Sequence, residues 1–305
     1  MIQNRHILGL SGGKDSAALA IYMAEHKADL NIEYFFTDTG HELPEVYKFL
    51  DKLETTLQIS ITRLKPEVGK YIEKMNEAHD QNSPEQMTSF KYWHRQNNYF
   101  LPSFSARWCT VTMKINPLEK WLAPTLKKGG SVTSYVAIRA DENREGYKPT
   151  NELIKVKFPF IEAGIDKQGV INLLEKSGMG LPDYYKWRSR SGCSFCFYQQ
   201  KIEWVRLKEN HPDKFEEAKY YENLSIDHNN SFFWTEGESL TELEKPERMK
   251  QIKKDFEIKK QKWKESKKSR DPLAWAKKDS DYEAEDEIDE IYGDHIGHTC
   301  VICHK

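Results

Sequence analysis

A six-residue segment near the start of the chain, Ser-Gly-Gly-Lys-Asp-Ser at positions 11–16, constrains the fold more than any other feature. It follows an apolar run at residues 7–10 and precedes an alanine-rich apolar stretch at residues 17–24. This order predicts a buried strand, a glycine turn and a helix. The two glycines let the backbone turn tightly and come close to a ligand. The amides of the first helical turn then point at one position and favour an anion there.

The side chains of the same segment suit a phosphate that carries a metal ion. Lys14 adds positive charge, and Ser11 and Ser16 add hydroxyl donors. Asp15 makes sense beside a phosphate mainly if it holds Mg²⁺, which prefers oxygen ligands. The segment differs from a Walker A loop, because Asp15 follows the lysine and Leu8 stands where that motif has its first glycine. The alternative interpretation is a glycine turn that is capped by Ser and Asp and binds no ligand.

Charge, hydropathy and cysteine usage narrow the class of protein. The 305 residues suffice for one large domain or two modest ones. Lys and Arg number 46 against 48 Asp and Glu, so the net charge neither favours nor excludes a nucleic-acid partner. We expect no signal peptide and no bilayer-spanning run. Four of the five cysteines form two Cys-x-x-Cys pairs, which favours metal or redox chemistry in a reducing compartment and therefore a cytoplasmic protein away from membranes.

Strand and helix patterns alternate through the first half of the chain. Beyond the opening strand and helix, we predict a strand at Ile32–Thr37, a helix at Pro44–Leu57, a strand at 59–64, a helix around 118–126 and a strand at 132–138. This alternation predicts an α/β fold with a doubly wound, mostly parallel sheet. Ligands of such sheets bind beyond the carboxyl ends of the strands, where residues 11–16 and the segments after the second and later strands lie.

The pattern changes near Ser191, so we predict a nucleotide-binding domain over residues 1–190 and a helical region over residues 191–305. The expected core residues of the helical region are Trp204, Leu207, Phe215, Tyr220 and Tyr221. Residues 250–278 are lysine-rich and residues 279–294 are acidic. Both runs are interpreted most simply as solvated segments. The alternative is that the lysine-rich run, with its interleaved tryptophans, contacts a phosphate backbone.

Ser-Gly-Gly-Lys-Asp-Ser resembles the PP-loop of the adenine-nucleotide α-hydrolase superfamily, whose members cleave ATP between the α and β phosphates. A second motif, Asp-Thr-Gly at positions 38–40, follows the second predicted strand. Alone it is a common turn sequence. Placed one βα unit after the PP-loop, it is similar to the Asp-Thr-Gly loop of the PAPS reductase group of that superfamily. The resemblance implies nucleotide binding by Ser11, Gly12, Gly13, Ser16, Asp38, Thr39 and Gly40.

A third motif follows the strand predicted at 132–138. Residues 137–144 resemble the Gly-x-Arg-x-x-Glu-Ser-x-x-Arg segment of the PAPS reductase group. Two arginines just past a strand end suit a polyphosphate, because a guanidinium group binds phosphate through two parallel hydrogen bonds. The alternative is a surface cluster in which these arginines pair with Asp141 and Glu142. The catalytic residues that we expect are Lys14, Asp15, Arg139 and Arg144.

The cysteine segments resemble iron–sulfur APS reductases. Those enzymes carry a Cys-Cys pair before a Lys-x-x-Pro-Leu segment, together with a distant Cys-x-x-Cys pair, and these thiols hold a 4Fe–4S cluster. This chain has Trp108 in place of the first cysteine of the pair. The resemblance therefore implies a cluster on Cys109, Cys193 and Cys196, one ligand short of the usual four thiolates.

The C-terminal pair, Cys300 and Cys303, leaves several roles open. One of these thiols could be the fourth cluster ligand, a position that an external sulfide or the substrate could also fill. Alternatively, Cys193, Cys196, Cys300 and Cys303 hold one tetrahedral Zn²⁺, although the gap between the pairs is far longer than in a small zinc finger. A further alternative is free thiols, one of them a nucleophile as in sulfonucleotide reductases, whose Glu-Cys-Gly-Leu-His tail motif this chain lacks.

These motifs cover roughly residues 7–222, and segments 205–215 and 231–234 resemble the DndC-type ATP pyrophosphatases of DNA phosphorothioation. Because Gly13 and Asp15 are kept, the resemblance implies cleavage of ATP with Mg²⁺ to AMP and pyrophosphate, which adenylates an acceptor for sulfur transfer. It implies DNA or RNA as the acceptor and a donor such as a cysteine desulfurase. The alternatives are reduction of PAPS or APS by a C-terminal cysteine, and a non-catalytic nucleotide-binding accessory protein of a mobile-element or defence system.

Overall fold

A computed structural model describes residues 4–66, 87–142 and 151–270, together with the single residues 68, 72, 149, 288 and 291. The strands are β1 (Asn4–Leu10), β2 (Ile32–Thr37), β3 (Ile61–Leu64), β4 (Ser131–Tyr135) and β5 (Ile154–Lys157). The helices of the first half are α1 (Lys14–His26), α2 (Pro44–Leu57), α3 (Ser89–Gln96), α4 (Trp108–Thr110) and α5 (Asn116–Lys127). Those that follow are α6 (Pro159–Glu162), α7 (Lys167–Lys176), α8 (Lys201–Asn210), α9 (Pro212–Asp227), α10 (Leu240–Leu243) and α11 (Pro246–Arg270). A π-helical turn, Val111–Ile115, joins α4 to α5, and a 3₁₀ turn covers Asp183–Lys186.

The described strands form one parallel sheet in the order β3-β2-β1-β4-β5. The chain winds outwards from β1 to β3 and then returns to the other side of β1, so the order reverses between β1 and β4. In open parallel sheets this reversal opens a crevice at the carboxyl edge, which is where ligands bind. The loop of residues 11–13 leaves β1 at that edge and leads into α1.

Helices cover both faces of the sheet. On one face, Leu8 and Phe36 pack into a large apolar cluster with residues of α1, α2 and α7. On the other face, Ile7 and Phe35 pack against Leu122 of α5. Neighbouring residues of β1 and β2 therefore point to opposite faces, as the two-residue period of a strand requires. The doubly wound parallel fold predicted from the sequence is confirmed.

The element boundaries differ from the prediction in a few places. The predicted β2 and α2 match the structure residue for residue, whereas β3 begins at Ile61 rather than at residue 59 and β4 ends at Tyr135 rather than at residue 138. β5 was not predicted. Its short sequence, Ile-Lys-Val-Lys, contains two lysines in four residues and gives only a weak signal for a strand at the sheet edge. Tyr220 was expected in the core but is 43% exposed, since it lies on the outer side of α9 beside the buried Tyr221.

Helices α8 to α11 confirm the helical character predicted after residue 191. Trp204, Leu207, Phe215 and Tyr221 are buried, and they belong to the same apolar cluster as Leu8 of β1. This cluster contains side chains from both sides of residue 190. The division into residues 1–190 and 191–305 therefore stays a prediction. Among the helices of the described residues, none combines the length and the apolar composition needed to cross a bilayer.

Glu238 ties the ends of two of these helices together. Its carboxylate accepts two 2.6 Å hydrogen bonds from the Arg248 guanidinium of α11 and lies 2.6 Å from the Lys201 ammonium at the start of α8. The Arg248 hydrogen bonds and the charge of Lys201 lower the pKa of Glu238 from 4.5 to about 2. A carboxyl group with a depressed pKa stabilises the folded state above its unfolded pKa, and this contribution disappears as the pH falls towards the folded value.

We expect Glu238→Gln to reduce the free energy of unfolding at pH 7 by about 1 kcal/mol, because the pair is partly exposed to solvent. The difference between parent and variant should shrink as the pH is lowered from 4.5 towards 2, where the carboxylate becomes protonated. Urea unfolding between pH 7 and pH 3 measures it. Glu236→Gln, an exposed neighbour, serves as the control. A difference that stays constant with pH would contradict the assignment.

Candidate active site

The turn between β1 and α1 has the geometry of an anion-binding loop. Gly12 adopts a φ of +71°, in the left-handed region that disfavours other residues. A Cβ at Gly12 would also lie 2.5 Å from the Val46 Cγ1 atom of α2. Gly13 has an extended backbone and caps α1 without a side-chain hydrogen bond. The first-turn amides of α1 therefore face the carboxyl edge of the sheet, as the sequence predicted.

Hydroxyl groups brace this turn from within. The Ser16 Oγ atom accepts a 3.1 Å hydrogen bond from the Ser11 amide and donates one of 3.2 Å to the Gly13 carbonyl oxygen. The Ser11 Oγ atom accepts a 3.2 Å hydrogen bond from the Gly13 amide and lies 3.2 Å from the Ser16 Oγ atom. Both serines are buried. These contacts hold the loop in one conformation, so the predicted binding residues Ser11, Gly12, Gly13 and Ser16 are brought together.

A buried group of charges lies at the start of α1. Lys14 is fully buried, and its ammonium nitrogen lies 3.5 Å from an Asp15 carboxylate oxygen. The other Asp15 oxygen accepts a 3.0 Å hydrogen bond from Arg139. Arg139 also pairs with Asp141 at 3.0 Å and with Glu142 at 3.1 Å. Although burial opposes its charge, Asp15 and Glu142 raise the pKa of Arg139, which stays a cation.

This arrangement connects the loops that follow β1 and β4. Lys14, Asp15 and Arg139, three of the four residues predicted to be catalytic, are in contact, whereas Arg144 lies outside the described residues. Asp141 and Glu142 do pair with Arg139, as the alternative interpretation expected. Asp141 is exposed, whereas Lys14, Asp15 and Arg139 are buried.

The turn after β2 lies beside the same edge. Asp38 accepts hydrogen bonds from the Gly40 amide at 2.9 Å and from the Tyr47 hydroxyl at 2.8 Å. Thr39 donates a 2.8 Å hydrogen bond to Glu42, which also accepts one of 3.2 Å from Tyr47. Burial and the nearby Glu42 and Asp38 carboxylates raise the pKa of Tyr47, so its hydroxyl keeps its proton and acts as a donor. Asp38, Thr39 and Gly40 are thus held in a rigid turn, and the nucleotide binding expected of them stays a prediction.

A segment that the sequence did not assign lies against the glycine loop. We call residues 184–192 the strap. The Tyr184 hydroxyl donates a 2.8 Å hydrogen bond to the Gly12 carbonyl oxygen, and the Tyr185 hydroxyl accepts one of 3.3 Å from the Lys14 amide. Neither tyrosine differs in sequence pattern from an ordinary core tyrosine. Only the tertiary contact of the two segments identifies them as part of the site.

Three thiols line one cavity next to the strap. Cys109 of α4 and the pair Cys193 and Cys196 contribute to the wall of a cavity of about 50 Å³, and all three cysteines are half-buried. Lys114 and Arg190 also line this cavity. The sequence prediction that Cys109 and the distant Cys-x-x-Cys pair converge on one site therefore agrees with their positions.

The site is built on a domain of known type. The model of the phosphoadenosine phosphosulfate reductase domain matches residues 5–162. The chain belongs to this family. The matched region contains the glycine loop, the turn after β2, Cys109 and Arg139. The resemblance to the PAPS reductase-like PP-loop superfamily is thereby confirmed. The likeness to its DndC-type members stays a prediction.

Several proteins resemble this family member along much of its length. A 37.8 kDa uncharacterised protein of Escherichia phage 186 is 24% identical over 261 residues, which cover 72% of this chain and 75% of that protein. An uncharacterised protein of Methanocaldococcus jannaschii is 27% identical over 83% of this chain and 55% of its own length. An uncharacterised nin region protein of phage lambda is 27% identical over 45% of this chain, which spans 49% of that protein. A PAPS reductase of Candida auris in a phosphate complex aligns with 62% of this chain and 81% of its own at a TM-score of 0.43 and 14% identity.

The thiol cavity of this PAPS reductase-family protein contains sulfur ligands of the kind that bind soft metal ions, but they are not placed to bind one. Within the described residues, no three His, Cys, Asp or Glu side chains are placed to hold a metal ion. Trp108, at the position of the absent cysteine, donates a 3.0 Å hydrogen bond to the Phe100 carbonyl oxygen. Cys300 and Cys303, the predicted fourth ligands or zinc partners, lie outside the described residues. The three described thiols alone therefore do not fit a 4Fe–4S or Zn²⁺ centre.

The surroundings of Cys193 disfavour its thiolate form. Its Sγ atom lies 3.4 Å from the Thr39 Oγ1 atom and 3.9 Å from a Glu42 carboxylate oxygen. Burial and the negative charge of Glu42 raise the pKa of Cys193 from 9.0 to about 12. The thiol therefore stays protonated at neutral pH, and thiolate chemistry at Cys193 requires a change in these surroundings.

We expect Glu42→Gln to lower the pKa of Cys193, because the substitution removes the negative charge next to Sγ. Alkylation of Cys193 by iodoacetamide at pH 9 should then be faster, by roughly tenfold for each unit by which the pKa of the thiol falls. Peptide mass spectrometry measures the rate at Cys193 separately from Cys109 and Cys196. Glu45→Gln is the matched control, since Glu45 pairs with His211 instead. Equal rates in the parent and Glu42→Gln would contradict this account.

Proposed function

We propose that this PAPS reductase-family protein is an ATP pyrophosphatase that activates an acceptor for sulfur transfer. The contact of Lys14, Asp15 and Arg139 on the glycine loop carries the proposal. It supplies two cations for a leaving pyrophosphate and one carboxylate for a metal ion. A sulfonucleotide already contains its activated group, whereas Asp15 and Gly13 suit a metal-bound triphosphate. The family match supports a nucleotide-utilising enzyme.

In the proposed reaction, the β and γ phosphates of ATP lie on residues 11–16 and the adenosine lies near the turn at Asp38. An acceptor oxygen attacks the α phosphorus, the bond from the α phosphorus to the bridging oxygen breaks, and pyrophosphate leaves. Lys14 and Arg139 stabilise the charge that develops on the leaving group. A sulfur nucleophile then displaces AMP from the adenylated acceptor. Arg144 is proposed to assist Arg139, although it lies outside the described residues.

The metal ion of this reaction arrives with ATP. Mg²⁺ on a nucleotide usually takes one or two protein carboxylates and several phosphate and water oxygens. Asp15 suits this role, because its carboxylate lies in the first turn of α1, next to the loop proposed to bind the phosphates. Both Asp15 oxygens contact Lys14 and Arg139 in the structure, so the carboxylate would exchange at least one of these contacts for the ion. The bound ion would add positive charge beside the departing phosphates.

The acceptor is proposed to be a nucleic acid, DNA or RNA, with sulfur supplied by a donor such as a cysteine desulfurase. The residues that line the thiol cavity are suited to an acceptor that carries negative charge and aromatic rings. Lys114 and Arg190 line the cavity, and among the described lining residues none is acidic. Phe104, which packs edge-to-face on Tyr198 at 4.9 Å, is 54% exposed nearby. Exposed aromatic rings beside cationic side chains are typical of surfaces that bind single-stranded nucleic acids.

The family description favours one further candidate, reduction of PAPS or APS. This reaction would use Cys300 or Cys303 as the nucleophile. It predicts thioredoxin-dependent release of sulfite, which a Cys300→Ser/Cys303→Ser variant would lose. Iron, sulfide and zinc determined on one anaerobic sample, together with its visible absorbance, decide whether the thiols carry a cluster, zinc or neither.

Incubation with α-labelled ATP and Mg²⁺ tests the proposed activity. We expect AMP and pyrophosphate, with stimulation by single-stranded nucleic acid. Lys14→Ala and Asp15→Asn should each reduce the rate by roughly 100-fold, the usual cost of removing one group that stabilises transition-state charge. Asp51→Asn, an exposed carboxylate of α2, is the control and should not change the rate.

Two results would contradict the proposal. Binding of ATP without turnover under any acceptor condition would favour the accessory-protein interpretation. Sulfite release from PAPS without any cleavage of ATP would favour the reductase.

A further inference from the structure

The strap occupies hydrogen-bonding groups of the loop that would otherwise meet a phosphate. The Lys14 amide, in the first turn of α1, donates to the Tyr185 hydroxyl at 3.3 Å. The Ser191 hydroxyl donates to the Ser11 Oγ atom at 3.2 Å. Free amides and hydroxyls at a helix N-terminus are the donors with which proteins bind phosphate oxygens. Two hydroxyl oxygens of the strap therefore take the places that phosphate oxygens would need.

Packing at Gly13 leads to the same conclusion. A Cβ built on Gly13 would lie 2.9 Å from the Ser191 Oγ atom and 3.2 Å from the Tyr185 hydroxyl. Lys14 is fully buried, and its ammonium lies 5.1 Å from the centre of the Tyr185 ring. The strap thus contacts the loop too closely for a triphosphate to lie between them. A nucleotide can bind only if Tyr185 and Ser191 move away from the loop.

The strap leads directly into the thiols. Gly192, with a φ of +130°, is the one residue between Ser191 on the glycine loop and Cys193 in the cavity. Cys193 forms a backbone bridge with Glu42, and the Ser194 amide donates a 2.7 Å hydrogen bond to the His41 carbonyl oxygen. Because only Gly192 separates them, displacement of Ser191 would also shift the backbone that keeps the Cys193 thiol next to Thr39 and Glu42.

In the observed conformation of the strap, the Arg188 guanidinium is only partly hydrogen-bonded. Its guanidinium is completely buried and donates one 2.8 Å hydrogen bond, from Nη2 to the Cys193 carbonyl oxygen. Its Nε and Nη1 groups have no hydrogen-bond partner within the described part of the chain. A buried cation with unpaired donors is costly, so a nearby anion that draws Arg188 towards it would favour a second position of the strap.

We propose that a bound triphosphate displaces the strap and thereby exposes the half-buried Cys193, so that the thiol becomes more accessible when the nucleotide site is filled. This inference rests on the proposed function, because it takes ATP to be the ligand of the glycine loop. The coupling is reciprocal, since a ligand that favours the displaced strap makes the thiol accessible, and a modified, displaced thiol favours ligand binding. Such a link would keep the reactivity of Cys193 low until an activating nucleotide is present.

Alkylation of the full-length protein by iodoacetamide, with Cys193 quantified by peptide mass spectrometry, tests the coupling. The ligand is Mg²⁺ with α,β-methylene ATP, which binds without cleavage, and equilibrium dialysis measures its binding to the same samples. We expect saturating ligand to accelerate alkylation of Cys193 by roughly tenfold, the effect of breaking two ordinary hydrogen bonds. The Tyr185→Phe/Ser191→Ala variant should react at the faster rate without ligand and should bind the nucleotide more tightly than the parent.

The control variant is Tyr220→Phe/Ser177→Ala, which removes the same two hydroxyl types from α9 and from the end of α7 and should behave as the parent does. If the parent binds the nucleotide but Cys193 reacts at an unchanged rate, the coupling is wrong while the proposed function stands. If Tyr185→Phe/Ser191→Ala binds the nucleotide more weakly than the parent, the two hydroxyls are ligands rather than competitors, and the inference is overturned. If no variant binds the nucleotide, the inference and the proposed function fail together.

Discussion

The buried ion pair between Asp15 and Arg139 is the interaction on which the rest of the site depends. It joins the first turn of α1 to the loop after β4, and the strand order reverses between β1 and β4. Each charge is buried, so neither is stable there without the other. Lys14 contacts the same carboxylate, and Arg139 also pairs with Asp141 and Glu142, so the cluster joins two cations and three carboxylates at the carboxyl edge of the sheet.

The architecture could be predicted from the sequence because its signals are local. The apolar runs of β1 and β2 and the proline at the start of α2 indicate their elements without reference to the rest of the chain. The position of the glycine loop follows from the same patterns, since carboxyl ends of parallel strands share one edge. β5 was missed for the opposite reason, because Ile-Lys-Val-Lys becomes a strand only through its pairing with β4. The outward position of Tyr220 likewise depends on how α9 packs.

The candidate site was predicted in part. Residues with a motif, such as Lys14, Asp15 and Arg139, could be assigned because their chemistry is unusual at that spacing. The three thiols could be grouped because cysteines are few. Tyr185 and Ser191 could not, since their importance comes only from contacts with the Lys14 amide and the Ser11 hydroxyl, which lie 171 and 180 positions earlier in the chain. The contact of Glu42 with Cys193 was missed for the same reason.

The tight fit at Gly13 has an evolutionary consequence. The space that a methyl group would need at position 13 is filled by the hydroxyls of residues 11, 185 and 191. A homologue could gain a side chain there only by losing bulk from the opposing segment, which makes these positions a set that must vary together. Aligned homologues should therefore show paired substitutions across the two segments, and a single exchange at either one should be rare.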